Sequence, residues 1–217
     1  MSLYRNFLIY NISSGTLNVN CEKKNVQKKR PPKKFEKISY APIQKNMYSL
    51  TYKWIDKLRI SDKYSKPIFN EVQSIFIENI GRLAVFGNSE SNINYFCNKI
   101  SEKYNISLEL VPYYQFLKKD FLADNLTDEI IGYEIKNPKL SMNDENFEKF
   151  SGEKMMLDHL KKMILENEES IVSITLDLDK NNISYYIDPC SVISLSDNID
   201  KTKFYSILNL ICRRYQL

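Results

Sequence analysis

The residues whose types and spacing fit catalysis best are a Glu-x-Lys string and the carboxylates before it. Glu134 and Lys136 stand in a strand-like segment, and Asp120, Asp124 and Asp128 precede them. Metal-dependent nucleases bind Mg²⁺ through such carboxylates and use the lysine to orient the attacking water. The same string is frequent by chance in a lysine-rich chain, and its alternating charge also describes a solvated strand face. A Mg²⁺-dependent nuclease is therefore an alternative function only.

Other residues with chemical potential fit simpler interpretations. Asp177 and Asp179 place two carboxylates on one face of a strand, but the sequence around them lacks the Gly and Glu of an EF-hand loop, so a turn is favoured. His159 is the only histidine, which excludes sites with two histidine ligands, and we interpret it as a surface residue. The five glycines are isolated and form no phosphate loop. We predict no catalytic residues, no metal ligands and no cofactor.

The strongest charge feature is a lysine-rich segment at residues 22–37, which we call the basic arm. It contains eight basic and two acidic residues, a net charge of +6, whereas the whole chain carries +4. Pro31 and Pro32 prevent a continuous helix, so we expect an exposed, extended segment. A phosphate backbone is the natural partner of such an arm. The residues predicted to contact nucleic acid are Lys23, Lys24, Lys28, Lys29, Arg30, Lys33, Lys34 and Lys37.

The basic arm also has two interpretations without nucleic acid. It fits a solvated loop that keeps the protein soluble, and it fits an address signal in an organism with a nucleus. The chain has 25 lysines and only 6 arginines, together with many Ile, Asn and Tyr residues, a set that A/T-rich codons encode. The abundance of aromatic residues therefore does not by itself indicate base-stacking platforms.

The composition is that of a globular protein in a reducing compartment. With 217 residues, 43% of them hydrophobic, the chain is long enough for one full-sized domain or two small ones. It shows no secretion signal and no apolar run near the ~20 residues of a membrane span, so we expect a cytoplasmic protein without membrane contact. The cysteines are too far apart for a metal knuckle or a redox motif. They are Cys21, Cys97, Cys190 and Cys212.

Hydrophobic periodicity divides most of the chain into strands and helices. Residues 7–20 read as a hairpin around Ser-Ser-Gly, and residues 74–86 as a second hairpin with an Asn- and Gly-containing turn. The other predicted strands cover residues 106–111, 128–136, 171–178 and 183–187. The predicted helices cover residues 89–104, 152–170 and 201–214. Residues 46–60 fit a strand and a helix equally, residues 113–126 are mixed, and residues 143–151 are polar and loop-like.

These elements predict an α+β protein with mainly antiparallel sheets and helices packed on one face. The polar residues 61–67 end in a proline and are the best candidate boundary. We predict an N-terminal β-rich portion with the basic arm, residues 1–66, and an α+β domain, residues 67–217. Residues 74–104 and 171–215 share the order strand, turn, strand, helix. A duplicated ββα unit explains this order, and so does chance in a two-layer protein.

Three functions are compatible with the sequence. The leading hypothesis is a non-enzymatic nucleic-acid-binding protein, or an accessory subunit, that uses its lysines for phosphate contacts. The second is a protein-interaction subunit of a larger assembly without nucleic-acid contact, docking through exposed strand edges or its terminal helix. The third is the Mg²⁺-dependent nuclease. We also expect a protein partner or a homo-oligomer. The sequence does not distinguish DNA from RNA.

Overall fold

The computed structural model describes residues 6–17, 36–61, 64–87, 89–136, 147–151, 154–178, 183–196 and 199–215. These residues contain eleven strands and four α-helices. The strands are β1 (Asn6–Ser14), β2 (Glu36–Gln44), β3 (Met47–Ser61), β4 (Tyr64–Ile77), β5 (Arg82–Phe86), β6 (Ser107–Leu110), β7 (Glu129–Lys136), β8 (Phe147–Ser151), β9 (Ile171–Asp177), β10 (Ser184–Ile187) and β11 (Ile193–Leu195). The helices are α1 (Glu90–Tyr104), α2 (Tyr113–Leu122), α3 (Lys154–Glu166) and α4 (Lys201–Arg213).

The chain forms two compact units. The first comprises Met1–Val111 with Leu208–Gln216, and the second Pro112–Ile207 with Leu217. The boundary expected after residue 66 falls within β4. None of the helices in the described part of the chain is both long and apolar enough to cross a membrane.

The first unit is built on an antiparallel sheet with the strand order β2-β3-β4-β5-β1-β6. Alternate residues of β3, namely Leu50, Tyr52 and Trp54, are apolar and buried, as expected for a strand with one face towards a core, whereas all five residues of β5 are buried. The stripe of α1, namely Ile93, Phe96 and Ile100, belongs to the same buried cluster as Leu50 of β3 and Leu83 of β5. The predicted helix and its apolar stripe are confirmed.

The second unit contains an antiparallel sheet with the order β11-β10-β9-β7-β8. Ile174 of β9 and Tyr185 of β10 are fully buried, as are Leu117 of α2 and Leu160 of α3. The antiparallel strands and the four helices confirm the predicted α+β class. In the second of the two similar blocks, β11 stands between the paired strands and the helix, whereas α1 follows β5 directly.

The structure corrects several local predictions. The strand predicted at Phe7 is β1, which pairs with β5 and β6, while residues 18–20 of the predicted hairpin lie outside the described residues. Residues 46–60, which fitted two element types, lie mostly in β3. Residues 113–122 of the mixed segment form helix α2, and residues 147–151 of the loop-like segment form strand β8. In the candidate boundary at residues 61–67, Ser61 belongs to β3 and residues 64–67 belong to β4, and the two strands pair there, while residues 62 and 63 lie outside the described residues.

Gly15 occupies a position that only glycine fits. Its φ of +79° lies in the left-handed region, and an added Cβ would stand 2.6 Å from the carbonyl oxygen of Asn105. Gly81 also has a positive φ, +63°, but nothing lies within 4 Å of its Cβ position. Alanine variants at the two positions can therefore separate the free-energy cost of a positive φ from that of a steric clash.

Replacing Gly15 with alanine is expected to lower the free energy of unfolding by about 2–3 kcal/mol, whereas Gly81→Ala should cost about 1 kcal/mol. Urea denaturation followed by circular dichroism measures both. Equal losses for the two variants would show that the approach of Asn105 to Gly15 contributes nothing.

Candidate nucleic-acid interface

The basic arm lies almost entirely outside the described residues. Lys23, Lys24, Lys28, Lys29, Arg30, Lys33 and Lys34 belong to that part of the chain. Lys37 is described and is exposed near the start of β2, where it pairs with Lys53 of β3. The Nζ of Lys53 is 2.6 Å from an oxygen of Glu71, whose pKa this hydrogen bond lowers, so the facing charge of Lys53 is compensated. Lys37 is thus an exposed lysine that faces a lysine whose charge is already compensated.

Strands β3 and β4 extend beyond their neighbours in the sheet. They pair from Met47 and Ile77 to Ser61 and Tyr64, but β2 pairs only with residues 47–54 and β5 only with residues 73–77. Among the described strands, residues 55–61 and 64–69 therefore pair only with each other. We call this part the β-ribbon. At about 3.4 Å a residue it is some 20 Å long.

The described side chains at residues 66–69 of the β-ribbon are exposed on both of its faces. Neighbouring residues of a strand point to opposite faces. On β4, Ile68 is 38% exposed and the next residue, Phe69, is 74% exposed. Lys66 and Pro67 are exposed as well. The ribbon thus presents apolar side chains to solvent on both faces, beside a cation.

The base of the β-ribbon is fixed by a buried aromatic residue and a carboxylate. Trp54 is only 3% exposed, and its ring packs 5.2 Å from that of Tyr52 and 5.0 Å from that of Tyr95 on α1. Its indole N–H donates to Asp56 (3.0 Å), which also accepts from the side chain of Asn70 on β4 (2.8 Å). Asp56 thereby ties the two strands together where the ribbon leaves the sheet.

Two lysine–tyrosine pairs also lie along α1, beside this base. Lys99 lies 5.7 Å from the ring centre of Tyr95, and Lys103 lies 5.3 Å from that of Tyr104. The pKa of Lys99 is raised, chiefly by its hydrogen bond to Glu102. Lys99 therefore stays charged at neutral pH.

The basic arm and the β-ribbon meet at one place in the sheet. Glu36, the first described residue of the arm, pairs with Trp54, one residue before the ribbon. The ribbon contains three basic residues and one acidic residue, a net charge of +2, and the arm carries +6. Because the whole chain carries +4, the remaining residues carry −4. Sequence reasoning found the arm and missed the ribbon.

Three of the four carboxylates proposed for a nuclease are engaged by other side chains. Asp128 is buried and accepts a hydrogen bond from the Tyr185 hydroxyl (2.7 Å). Lys161 lies 2.6 Å from Asp124, and Lys149 lies 3.5 Å from Glu134. Across the described ranges, no three His, Cys, Asp or Glu side chains come together as a metal site would require. The hypothesis of a Mg²⁺-dependent nuclease has no assembled ligand set in this part of the chain.

The other candidates for chemistry are structural in character. His159 of α3 is half-buried rather than a surface residue: its Nδ1 meets the Tyr133 hydroxyl, and its ring packs 5.1 Å from that of Phe150. Burial raises the pKa of Tyr133 to about 12, so its hydroxyl stays protonated at neutral pH. Asp177 ends β9, and Asp179 lies outside the described residues.

Comparisons with known proteins add no family to these observations. No protein-family model matches the chain, and no curated protein is significantly similar to it in sequence.

Proposed function

We propose that this protein binds nucleic acid without acting as an enzyme, alone or as an accessory subunit, and that the basic arm supplies the phosphate contacts. The observation that carries the proposal is the separation of charge. The arm and the adjoining β-ribbon together hold a net charge of +8, while all other residues hold −4. A polyanion gains most by meeting this one region, because each phosphate that is neutralised releases a condensed counterion.

The chemistry of the arm favours affinity over sequence recognition. Seven of its eight basic residues are lysines. A lysine ammonium is a point charge on a flexible stem, whereas arginine presents a planar fork that binds guanine in a bidentate manner. Contacts to phosphate set the position of a protein on nucleic acid but carry no sequence information. The arm is therefore expected to bind strongly at low salt and with little sequence preference.

Neutralising the arm should weaken binding in a way that salt reveals. With Lys28, Lys29, Arg30, Lys33 and Lys34 replaced by glutamine, we expect affinity at low salt to fall at least tenfold. The plot of log affinity against log salt concentration should flatten by up to about one unit per lost contact. Fluorescence anisotropy with labelled duplex and single-stranded DNA and RNA, between about 50 and 200 mM salt, measures both quantities.

A matched control removes the same charge from another part of the chain. The control variant replaces five exposed lysines of the second unit with glutamine: Lys119, Lys136, Lys162, Lys201 and Lys203. It should keep the affinity and the salt dependence of the wild type within about twofold, since distant surface charges are screened. If both variants lose affinity equally, net charge rather than the arm controls binding. If the wild type binds no nucleic acid at low salt, the proposal fails.

Two docking surfaces were expected for the alternative of a protein-interaction subunit, namely exposed strand edges and the terminal helix, and only the first is open. The apolar face of α4, expected to dock a partner, is buried: Phe204, Ile207 and Ile211 are at most 4% exposed. Strand β2 is the outer strand of the first unit's sheet among the described residues, and outer strands can accept a further strand. Pro42 within β2 lacks an N–H and weakens such pairing. This alternative predicts complex assembly that the arm variant leaves intact.

A further inference from the structure

The β-ribbon has the dimensions of an element that enters a nucleic-acid groove. Two paired strands lie about 4.8 Å apart, and the major groove of B-form DNA, about 12 Å wide, admits such a two-stranded ribbon. The major groove of A-form RNA is deep and too narrow for side chains to reach the bases. The ribbon would therefore distinguish duplex DNA from duplex RNA by shape.

The residues exposed on the β-ribbon suit base edges rather than phosphates alone. Ile68 and Phe69 are open to solvent on opposite faces, next to the exposed Lys66. In the major groove, the apolar group on a base pair is the C5 methyl of thymine, which apolar and aromatic side chains contact. With its net charge of +2, the ribbon is also complementary to the phosphates that line the groove.

The ordered base of the β-ribbon lowers the conformational entropy that would be lost when the ribbon is inserted. The hydrogen bonds from Trp54 and Asn70 to Asp56 fix both strands where they leave the sheet, and Trp54 is anchored by its aromatic neighbours. An element that is already ordered loses less conformational freedom on binding than a flexible loop. The basic arm joins the sheet beside this base, so phosphate contacts and groove contacts would come from adjacent positions.

From these observations we propose that the β-ribbon enters the major groove of duplex DNA and that Phe69 contacts thymine methyl groups there. This inference rests on the proposed nucleic-acid binding and adds the class of nucleic acid and the groove. Burying one methyl group contributes about fourfold in affinity. A duplex in which every thymine is replaced by uracil keeps its charge and base pairing but lacks these methyl groups, so it should bind about fourfold more weakly for each methyl contacted.

The test compares three full-length proteins on a matched pair of DNA duplexes, one with thymine and one with uracil. Wild type should prefer the thymine duplex at least fourfold. Phe69→Ser should bind both duplexes as weakly as wild type binds the uracil duplex. Leu165→Ser is the matched control, because Leu165 on α3 is an apolar side chain that is 72% exposed, close to the 74% of Phe69. It should behave as wild type.

The outcomes separate this inference from the proposed function. The arm variant should weaken binding to both duplexes while keeping their ratio. If wild type binds both duplexes equally, or if Phe69→Ser keeps the ratio of the wild type, the insertion of the ribbon is wrong although nucleic-acid binding stands. Sedimentation of Phe69→Ser gives a second readout: a loss of self-association relative to wild type would assign the ribbon to a protein contact instead. Circular dichroism confirms that each variant is folded.

Discussion

Replacing Arg82 with leucine is expected to lower the free energy of unfolding by about 3–5 kcal/mol. Arg82 is the first residue of β5 and is only 3% exposed. One of its guanidinium nitrogens donates to the carbonyl oxygens of Cys212 (2.6 Å) and Arg214 (2.7 Å), and the other donates to that of Tyr215. These carbonyls stand at the end of α4, where helical partners are missing and the helix dipole is negative.

The expected loss comes from the carbonyl groups that leucine would leave without a donor. A buried acceptor that loses its hydrogen bond costs about 1–3 kcal/mol, and Arg82 serves one buried and two partly buried carbonyls. Arg82→Lys should fall between wild type and Arg82→Leu, because an ammonium keeps the charge but does not reproduce the fork of the guanidinium. Urea denaturation followed by circular dichroism gives the free energies.

Arg213 provides the control for the loss of a positive charge at the same helix end. It is exposed, and its Nε donates a hydrogen bond to the Oδ1 of Asn209 (3.1 Å). Arg213→Leu should change the free energy of unfolding by about 0.5 kcal/mol or less. If Arg82→Leu costs no more than Arg213→Leu, then the carbonyls at the end of α4 find water instead, and Arg82 is not a structural cap.

Periodicity predicted the elements that bury one face and was uninformative where burial is absent. The stripe of Ile93, Phe96 and Ile100 identified α1 because a helix on a sheet must present such a stripe. The β-ribbon, by contrast, exposes the neighbouring residues Ile68 and Phe69, so its apolar side chains do not mark a buried face. Its polar residues 61–67, with a proline, therefore had the composition of a linker.

The mixed segment that became α2 contained a usable signal. Tyr113, Leu117 and Phe121 recur every four residues and are all buried, as in one face of a helix. The surrounding lysines and the second tyrosine obscured this spacing. Strand β8 gave a weaker signal, because its five residues alternate only between exposed and partly exposed positions.

For a similar reason, the sequence predicted the basic arm of the candidate interface but not the β-ribbon beside it. A run of lysines is visible in the sequence whatever the fold. The proximity of this run to the β-ribbon depends on the pairing of Glu36 with Trp54, which is a contact between elements. Likewise, a single arginine in the apolar run of β5 does not reveal that it caps the last turn of α4, 130 residues later.

Replacing Trp54 with alanine is expected to lower the free energy of unfolding by about 3–5 kcal/mol. The indole is 3% exposed and packs against Tyr52 and Tyr95, so alanine would leave a large cavity between β3 and α1. Trp54→Phe keeps an aromatic ring but loses the hydrogen bond to Asp56, and it should cost about 1–2 kcal/mol. Since Trp54 is the only tryptophan, circular dichroism rather than fluorescence must follow the urea denaturation.

Trp54 contributes both to the stability of the fold and to the order of the β-ribbon. The variant Asp56→Ala separates these two roles. Asp56 is exposed, so its removal should cost the fold only about 1 kcal/mol, while it releases the side chains of both Trp54 and Asn70. Backbone amides of the β-ribbon should then exchange with solvent at least tenfold faster, whereas those of β5 keep their protection. Equal exchange in Asp56→Ala and wild type would show that the strand pairing alone orders the ribbon. In that case pre-ordering by Trp54 and Asp56 contributes nothing to binding.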